Sequence, residues 1–224
     1  MTNRGPRLVL LGKQGAGKGT QASQLAEHYG VLHLSTGDLF RAAAREGTPL
    51  GVEAQSYMDV GELVPDEIVI GVVEEELSRS GAARVGFVLD GFPRTVRQAE
   101  ELERVLADHP LDVVIDLDVP TEIVLHRIAG RRVCIQCQTL YHVDSPPKED
   151  WICDVCGGDV VQRDDDTEDA VMRRLELWEI QTLPLIQFYR RRGTLAHVDG
   201  TKDSDEVFES LVATVELRLA DEQA

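Results

Sequence analysis

Five short apolar runs alternate along the chain with longer segments of helical periodicity. The runs cover residues 8–11, 31–34, 85–90, 113–117 and 195–198. Apolar residues at consecutive positions in such short runs are typical of strands buried on both faces. The segments between them predict helices around residues 18–29, 66–80, 95–108, 121–129, 167–191 and 203–220. This alternation predicts βαβ units and a doubly wound α/β fold with a five-stranded parallel sheet.

Two segments interrupt the alternation, and we expect both to be insertions above the carboxyl ends of the strands. Residues 35–64 contain short helical patterns between the second and third strands. Residues 130–166 are rich in Cys, Pro, Gly and Asp and have no helical period. Ligands of doubly wound sheets bind at this edge of the sheet. Without these two insertions, the predicted core domain comprises residues 1–34, 65–129 and 167–224.

The composition is that of an ordinary globular protein, but the charge is strongly acidic. The 224 residues are 42% hydrophobic and 28% charged, and the formal net charge is −17. Such a surface repels nucleic acid and anionic membranes, so cations that bind phosphate should be few and local. No run reaches the roughly 18 apolar residues of a membrane span, and no hydrophobic region of a signal peptide is visible. These features predict a cytoplasmic protein.

The glycine-rich segment at residues 12–20, GKQGAGKGT, is the strongest functional signal. It lies between an apolar run and a predicted helix, the context in which backbone N–H groups, a helix N-terminus and Lys18 bind the phosphates of a nucleotide. The next residue is Gly19, where the general phosphate-binding loop has Ser or Thr. Since Gly19 offers Mg²⁺ no hydroxyl, we expect phosphates, water or a carboxylate to hold the ion. Asp90, at the end of the third strand, is the candidate carboxylate.

All four cysteines lie in the second insertion, in two Cys-x₂-Cys pairs separated by 15 residues. The pairs are Cys134 with Cys137, and Cys153 with Cys156. This spacing predicts a structural tetrahedral Zn²⁺ site, with iron as an alternative ion and two disulfides as a less favoured alternative in a reducing compartment. The ion would replace the apolar core that this segment lacks. We assign no histidine to catalysis and expect His142 only to pack or to form hydrogen bonds.

Six short motifs follow one another in the order seen in a known family. They are GAGKGT at 15–20, STGDL at 35–39, DGFPRT at 90–95, GRR at 130–132, YH at 141–142 and VDGT at 198–201. With these motifs the chain resembles the adenylate kinases, in their long-lid, zinc-bearing bacterial form. The resemblance implies a monomer that catalyses ATP + AMP ⇌ 2 ADP with Mg²⁺. It also implies an AMP-binding insertion at 35–64 and a mobile lid at 130–166. Lys13 and Gln14 depart from the alanine and proline common in the family.

The resemblance implies overlapping sets of site residues, with the four cysteines as metal ligands. The implied catalytic residues are Lys18, Asp90, Arg94, Arg131, Arg163 and Arg174. The implied ATP-binding residues are Gly15, Ala16, Gly17, Lys18, Gly19, Thr20, Arg127, Arg131, Tyr141 and Lys202. The implied AMP-binding residues are Thr36, Arg41, Glu62, Leu63, Val64, Gly91, Phe92, Pro93, Arg94, Gln98, Arg163 and Arg174.

The cations of these sets match the needs of phosphoryl transfer, which are positioning and charge compensation. Arg127 and Arg131 are four residues apart and share one helix face if the predicted helix extends to Arg131. Asp165 and Asp166 are expected at the return hinge of the lid, where they would order its arginines.

Other functions remain open at this point. The nearest alternative is a kinase of another nucleoside monophosphate, or one that prefers GTP as donor. Thr36 and Gln98 favour AMP, because an amide can read the donor and acceptor edge of adenine. A zinc-ribbon ATPase that binds nucleic acid is disfavoured by the acidity of the zinc segment. A non-catalytic nucleotide sensor is disfavoured by the presence of Lys18, Arg94 and Arg131.

Overall fold

A parallel five-stranded sheet forms the centre of the computed structural model, which describes residues 4–163 and 165–221. The strands, in chain order, are β1 (Arg7–Leu11), β2 (Leu32–Ser35), β3 (Phe87–Asp90), β4 (Val113–Asp118), β5 (Arg131–Cys134), β6 (Leu140–His142), β7 (Val160–Val161) and β8 (Leu195–Asp199). The central sheet has the order β2-β3-β1-β4-β8, and every pairing in it is parallel. The five strands predicted from the apolar runs are therefore present, and the α/β fold class is confirmed.

Helices connect the strands and cover both faces of the sheet. In chain order they are α1 (Lys18–Tyr29), α2 (Thr36–Arg45), α3 (Pro49–Asp59), α4 (Asp66–Ser80), α5 (Ala82–Val85), α6 (Val96–Val105), α7 (Thr121–Gly130), α8 (Glu168–Leu177), α9 (Leu183–Arg191) and α10 (Ser204–Asp221). The insertion at 35–64 contains α2 and α3, as its short helical patterns predict.

Two predicted elements differ from the structure. The single helix expected at 167–191 is interrupted by a π-helical turn, Trp178–Thr182, between α8 and α9. Pro184 in the first turn of α9 has no N–H for an intrahelical hydrogen bond, and an irregular turn before it accommodates that loss. The strand expected at 85–90 begins only at Phe87, because Val85 ends α5 and Gly86 (φ 120°) separates the two elements.

The sheet separates two apolar layers, as alternation along its strands requires. Val9 and Leu89 face a cluster that contains side chains of α2, α3, α4, α6 and α9. Leu8 and Val88 face the opposite cluster, which contains side chains of α1, α7, α8 and α10. All four are 0% exposed. Burial of this kind stabilises the fold by about 1.5–3 kcal/mol per large apolar side chain, and it holds the carboxyl ends of the strands in a fixed arrangement.

The segment 130–166 contains a separate antiparallel sheet of order β6-β5-β7. Its buried cluster consists of Cys134, Cys153 and Val160, with Tyr141 and Trp151 packed beside it. Two of the three buried members are thiols, so apolar packing holds this sheet only weakly. Across the described ranges, every helix is too short or too polar to span a bilayer.

Candidate active site

A wide cleft of about 670 Å³ opens at the carboxyl ends of β1, β2 and β3. Its walls are the glycine-rich loop 12–20, the insertion 35–64, the β5–β6 hairpin, and the last turn of α8 with the π-helical turn that follows it. The lining cations are Lys18, Arg41, Arg94, Arg127, Arg131, Arg163 and Arg174, and the lining carboxylates are Asp38, Glu62, Asp90 and Asp165. Among the described residues, seven cations against four carboxylates make the cleft locally positive in a chain of net charge −17. Such a cleft attracts anionic ligands.

The glycine-rich loop has the backbone of an anion-binding site. Gly15 and Gly17 have φ angles of 78° and 101°, which other residues rarely adopt. A Cβ on Gly15 would also approach Ile128 Cγ1 to 2.7 Å. Helix α1 begins at Lys18 with no side-chain cap, so its first N–H groups are free to bind a phosphate.

Lys18 adds a positive charge to this loop. Its Nζ donates to the carbonyl oxygens of Gly12 and Lys13 at 2.9 and 2.8 Å. Burial lowers the pKa of Lys18 to about 8, although the nearby Asp90 carboxylate opposes this effect. Asp90 Oδ2 lies 3.4 Å from the position that a Cβ on Gly19 would take. The predicted Mg²⁺ carboxylate is therefore beside the loop.

Two carboxylates organise three of the arginines on the opposite side of the cleft. Asp38 forms an ion pair with Arg41, one turn away on α2, and lies 4.0 Å from Arg163 Nη2. Asp165 Oδ2 lies 2.7 Å from Arg174 Nη2 and 3.8 Å from Arg41 Nη1. Burial alone would raise the pKa of Asp165, but Arg174 and Arg41 outweigh burial and hold that pKa below its ordinary value. Both carboxylates therefore remain charged and fix the guanidinium groups.

Arg94 differs from these arginines because its charge is not compensated by an ion pair. Its Nε donates to the carbonyl oxygen of Gly91 at 2.8 Å. Among the described residues no carboxylate oxygen lies within 4 Å of its guanidinium nitrogens. Burial, followed by repulsion from Arg174, lowers the pKa of Arg94 to about 10, and Asp90 opposes the shift. The Arg94 guanidinium is thus a buried cation that an anionic ligand would stabilise.

The condition for a helix face shared by Arg127 and Arg131, a helix that extends to Arg131, is not met. Helix α7 ends at Gly130, and Arg131 adopts an extended conformation at the start of β5. Arg127 donates to the carbonyl oxygens of Ala16 (3.1 Å) and Gly200 (2.9 Å) and so braces the glycine-rich loop. Arg131 forms a two-point ion pair with Asp166, as expected for an acid at the return hinge.

Several predicted nucleotide-binding residues do not line the cleft. They are Ala16, Thr36, Val64, Phe92, Gln98 and Lys202. The first five are buried behind the lining, and Lys202 is exposed elsewhere. Gln98 Oε1 accepts a hydrogen bond from the backbone N–H of Arg94, and its Nε2 donates to Asp66, both at 2.7 Å. Thr36 Oγ1 donates to the carbonyl oxygen of Gly91 at 3.1 Å. In the structure, these two side chains support the turn that presents Arg94.

Sequence reasoning missed residues that the fold brings to the cleft. Asp38 falls within a recognised motif, and its i,i+3 spacing from an arginine on α2 was an available signal. Gln14 Nε2 donates to Asp166 at 3.2 Å and so connects the glycine-rich loop to the end of segment 130–166. Lys13 Nζ lies 5.1 Å from the Trp178 ring, which lines the cleft from the π-helical turn. No local pattern predicts these last contacts, because their partners are more than 100 residues away.

The four cysteines form one cluster at the tip of the antiparallel sheet. Their four Sγ atoms all lie within 4.8 Å of one another. The Cys134–Cys156 and Cys137–Cys153 sulfur pairs are 3.4 and 3.5 Å apart. A disulfide requires about 2.0 Å, and all four cysteines are free. A tetrahedral site with Zn–S bonds of about 2.3 Å separates its sulfurs by about 3.8 Å, so the cluster is compatible with zinc.

A glycine-rich loop before α1, a cluster of buried arginines and a strand-end aspartate on a doubly wound sheet define a nucleotide-dependent phosphotransferase. The family model described as "Adenylate kinase" matches residues 10–194. The chain is 51% identical to the adenylate kinase of Carboxydothermus hydrogenoformans, over 92% of this chain and 97% of that protein. It is 52% identical to those of Thermodesulfovibrio yellowstonii (94% and 99% covered) and Bacillus subtilis (90% and 94% covered). The chain therefore belongs to the adenylate kinase family.

Proposed function

We propose that this enzyme transfers a phosphoryl group reversibly from ATP to AMP, with Mg²⁺, and produces two ADP. The observation that carries the proposal is the placement of Lys18 and Arg94, two cations that form no ion pair within the described part of the chain, in a locally positive cleft. Two polyphosphates repel each other, so bringing them together requires fixed positive charge between them. Proteins of the same family at about 50% identity carry the name of this activity.

The donor ATP would bind on the loop side of the cleft. Backbone N–H groups of residues 15–20 and the start of α1 would hold its β-phosphate, with Lys18 reaching the transferred group. Asp90 would hold water ligands of the Mg²⁺ that accompanies ATP and neutralises phosphate charge. Arg131, oriented by Asp166, would reach the ATP phosphates from the lid, and Arg127 would act by bracing the loop at Ala16.

The acceptor AMP would bind between α2 and the turn after β3. Arg41 and Arg94 would grip its phosphate, while Arg163 and Arg174 would clamp the transferred group from the lid side. The segment 62–64 would contact the adenine. Thr36 and Gln98 would contribute to the preference for adenine over other bases. To contact the adenine, Gln98 Nε2 would have to give up its hydrogen bond to Asp66.

The segment 130–166 would act as a lid whose four cysteines hold a structural Zn²⁺. Four thiolate ligands leave no open position, so the ion would hold the lid sheet together and take no part in the reaction. Closure of the lid would exclude water and prevent hydrolysis of ATP. We further propose that residues 35–64 and 130–166 are separate mobile units on the core, and that the enzyme is a cytoplasmic monomer.

The test is product analysis of the zinc-loaded protein with ATP, Mg²⁺ and a series of monophosphates. We expect ADP to form only when AMP is present, in the ratio of two ADP per AMP consumed. CMP, UMP and GMP serve as matched acceptors, and GTP as the matched donor. ADP release without AMP would identify a hydrolase, and faster turnover of CMP or UMP would identify a different monophosphate kinase. Either result would overturn the proposal.

A further inference from the structure

Three side chains that commonly bind metals converge at the hinge between α7 and the lid sheet. His126 lies on α7, His142 ends β6 and Asp144 lies in the turn that follows. One donor atom from each lies within 4.8 Å of the other two. We propose that these residues form a second metal site, for a divalent transition-metal ion such as Zn²⁺ or Ni²⁺. The proposal does not depend on the proposed reaction.

The lid contributes a ready-made pair of ligands to this site. His142 Nδ1 and Asp144 Oδ2 are 3.1 Å apart. With metal–nitrogen and metal–oxygen bonds of about 2.0–2.2 Å, ligands on neighbouring positions of one ion are separated by roughly 3 Å. The pair therefore already has the spacing of two adjacent ligands. The backbone N–H of Asp144 donates to the same Nδ1 at 3.2 Å, so Nδ1 is an unprotonated acceptor, and metal binding would replace this hydrogen bond.

The position of the His142 ring is fixed by the hinge itself. A Cβ on Gly130 would lie 2.0 Å from His142 Nε2, so only glycine leaves room for the ring. The backbone of His142 pairs with Arg131 of β5. Nε2 is buried and has no hydrogen-bond partner among the described residues. A ring held in this way loses little rotational freedom when it binds an ion.

The third ligand comes from the core side of the hinge. The His126 ring centroid lies 5.7 Å from that of His142, with 34° between the ring planes. His126 is exposed on the last turns of α7, so rotation of its side chain alone can bring a ring nitrogen to the ion. Two imidazoles with one carboxylate favour Zn²⁺, Ni²⁺ or Cu²⁺ over Mg²⁺, which prefers oxygen ligands. Water would fill the remaining position.

The two sides of this site belong to different parts of the molecule. His126 is carried by a helix packed on the central sheet, whereas His142 ends a strand of the antiparallel sheet and Asp144 lies in the turn after that strand. Val124 and Ile128, two residues on either side of His126, are buried in the core cluster and fix the helix. An ion bound by all three ligands would join the lid to α7. Its occupancy would therefore restrict the angle between lid and core.

The experiment is a calorimetric titration of Ni²⁺ into the tag-free, zinc-loaded enzyme in a non-coordinating buffer. We expect one further equivalent to bind without release of zinc from the cysteines, which a chromogenic chelator monitors. His126→Gln and Asp144→Asn should each weaken Ni²⁺ binding by roughly tenfold to hundredfold or more. A loss of roughly that size is typical when a residue that only supports a metal ligand is removed, and these two residues are proposed as ligands themselves. The matched control is His28→Gln, an exposed histidine on α1, which should bind like the unaltered enzyme.

Two results would overturn the proposal. One is the absence of any further equivalent above the cysteine-bound zinc. The other is a His126→Gln variant that binds Ni²⁺ as tightly as the unaltered chain does. Because His126 is exposed, this variant is expected to keep the melting temperature of the zinc-loaded enzyme, and a melting curve recorded beside the titration checks this. Failure here leaves the phosphoryl-transfer proposal untouched, since the titration contains no nucleotide.

Discussion

The core and segment 130–166 differ in how many apolar side chains they bury. The central sheet is covered by two extensive layers of buried aliphatic and aromatic side chains. The segment 130–166 has a buried cluster of only three side chains, Cys134, Cys153 and Val160, and it leaves Ile135, Val143, Ile152 and Val155 exposed. Apolar burial stabilises the central sheet, whereas the second sheet buries much less apolar surface and would depend on the proposed zinc ion for its stability. On the proposal that zinc holds this segment together, the segment could move as a unit without disturbing the core.

Removal of the metal should produce the largest difference between the two regions. A structural zinc site contributes about 10 kcal/mol or more of folding free energy, so Cys153→Ser should unfold the lid sheet. We expect hydrogen exchange to show lost protection at residues 131–161 and unchanged protection in β1, β3 and β4. Val155→Ser, an exposed change in the same turn, is the control. Equal loss of protection in both regions would contradict the comparison.

Substitution of Lys18 should have the opposite pattern, with activity lost and both regions folded. Removing one fixed charge that stabilises a transferring group costs about 10²–10³ in rate. We therefore expect Lys18→Met to lower kcat/KM for ATP by at least that factor, while the melting temperature stays the same or rises. Lys148→Met, an exposed lysine of the lid, is the matched control. A Lys18→Met enzyme with more than a tenth of normal activity would refute the assignment of Lys18.

The lowered pKa of Lys18 predicts a pH effect that is confined to the core. The charged form is present in the empty cleft only below about pH 8, so kcat/KM for ATP should fall above that pH by up to tenfold per unit. Because the unfolded chain keeps this proton up to about pH 10.5, stability should rise between about pH 8 and 10.5 relative to Lys18→Met. Melting curves of both proteins across this range measure the difference. A relative decrease would show that the sign is wrong.

The smallest expected effect concerns the contact between loop and lid hinge. Gln14→Leu removes one partly buried hydrogen bond to Asp166, worth about 0.5–1.5 kcal/mol. Since Asp166 orients Arg131, we expect the KM for ATP to rise by a few-fold to tenfold with kcat nearly unchanged. Gln14→Glu should have a larger effect because its carboxylate would repel Asp166. Gln187→Leu, exposed on α9, controls for the loss of an amide. An unchanged KM in both variants at residue 14 would exclude this coupling.

The amino-acid sequence by itself determined the five buried strands, the glycine-rich loop and the two Cys-x₂-Cys turns. All of these are local features, because a strand, a tight turn or a chelating pair is specified by residues close together along the chain. The predicted continuous helix at 167–191 failed locally as well, where Pro184 and the π-helical turn interrupt it.

Only the tertiary structure decided which charges meet. Asp165 with Arg41, Gln14 with Asp166 and Arg127 with Ala16 join residues more than 100 positions apart. Periodicity carries no information about such pairs, because they depend on how the insertion, the loop and the lid hinge pack around one cleft. The convergence of His126 with His142 has the same origin: the chain turns at Gly130, and only that turn brings the core histidine to the lid.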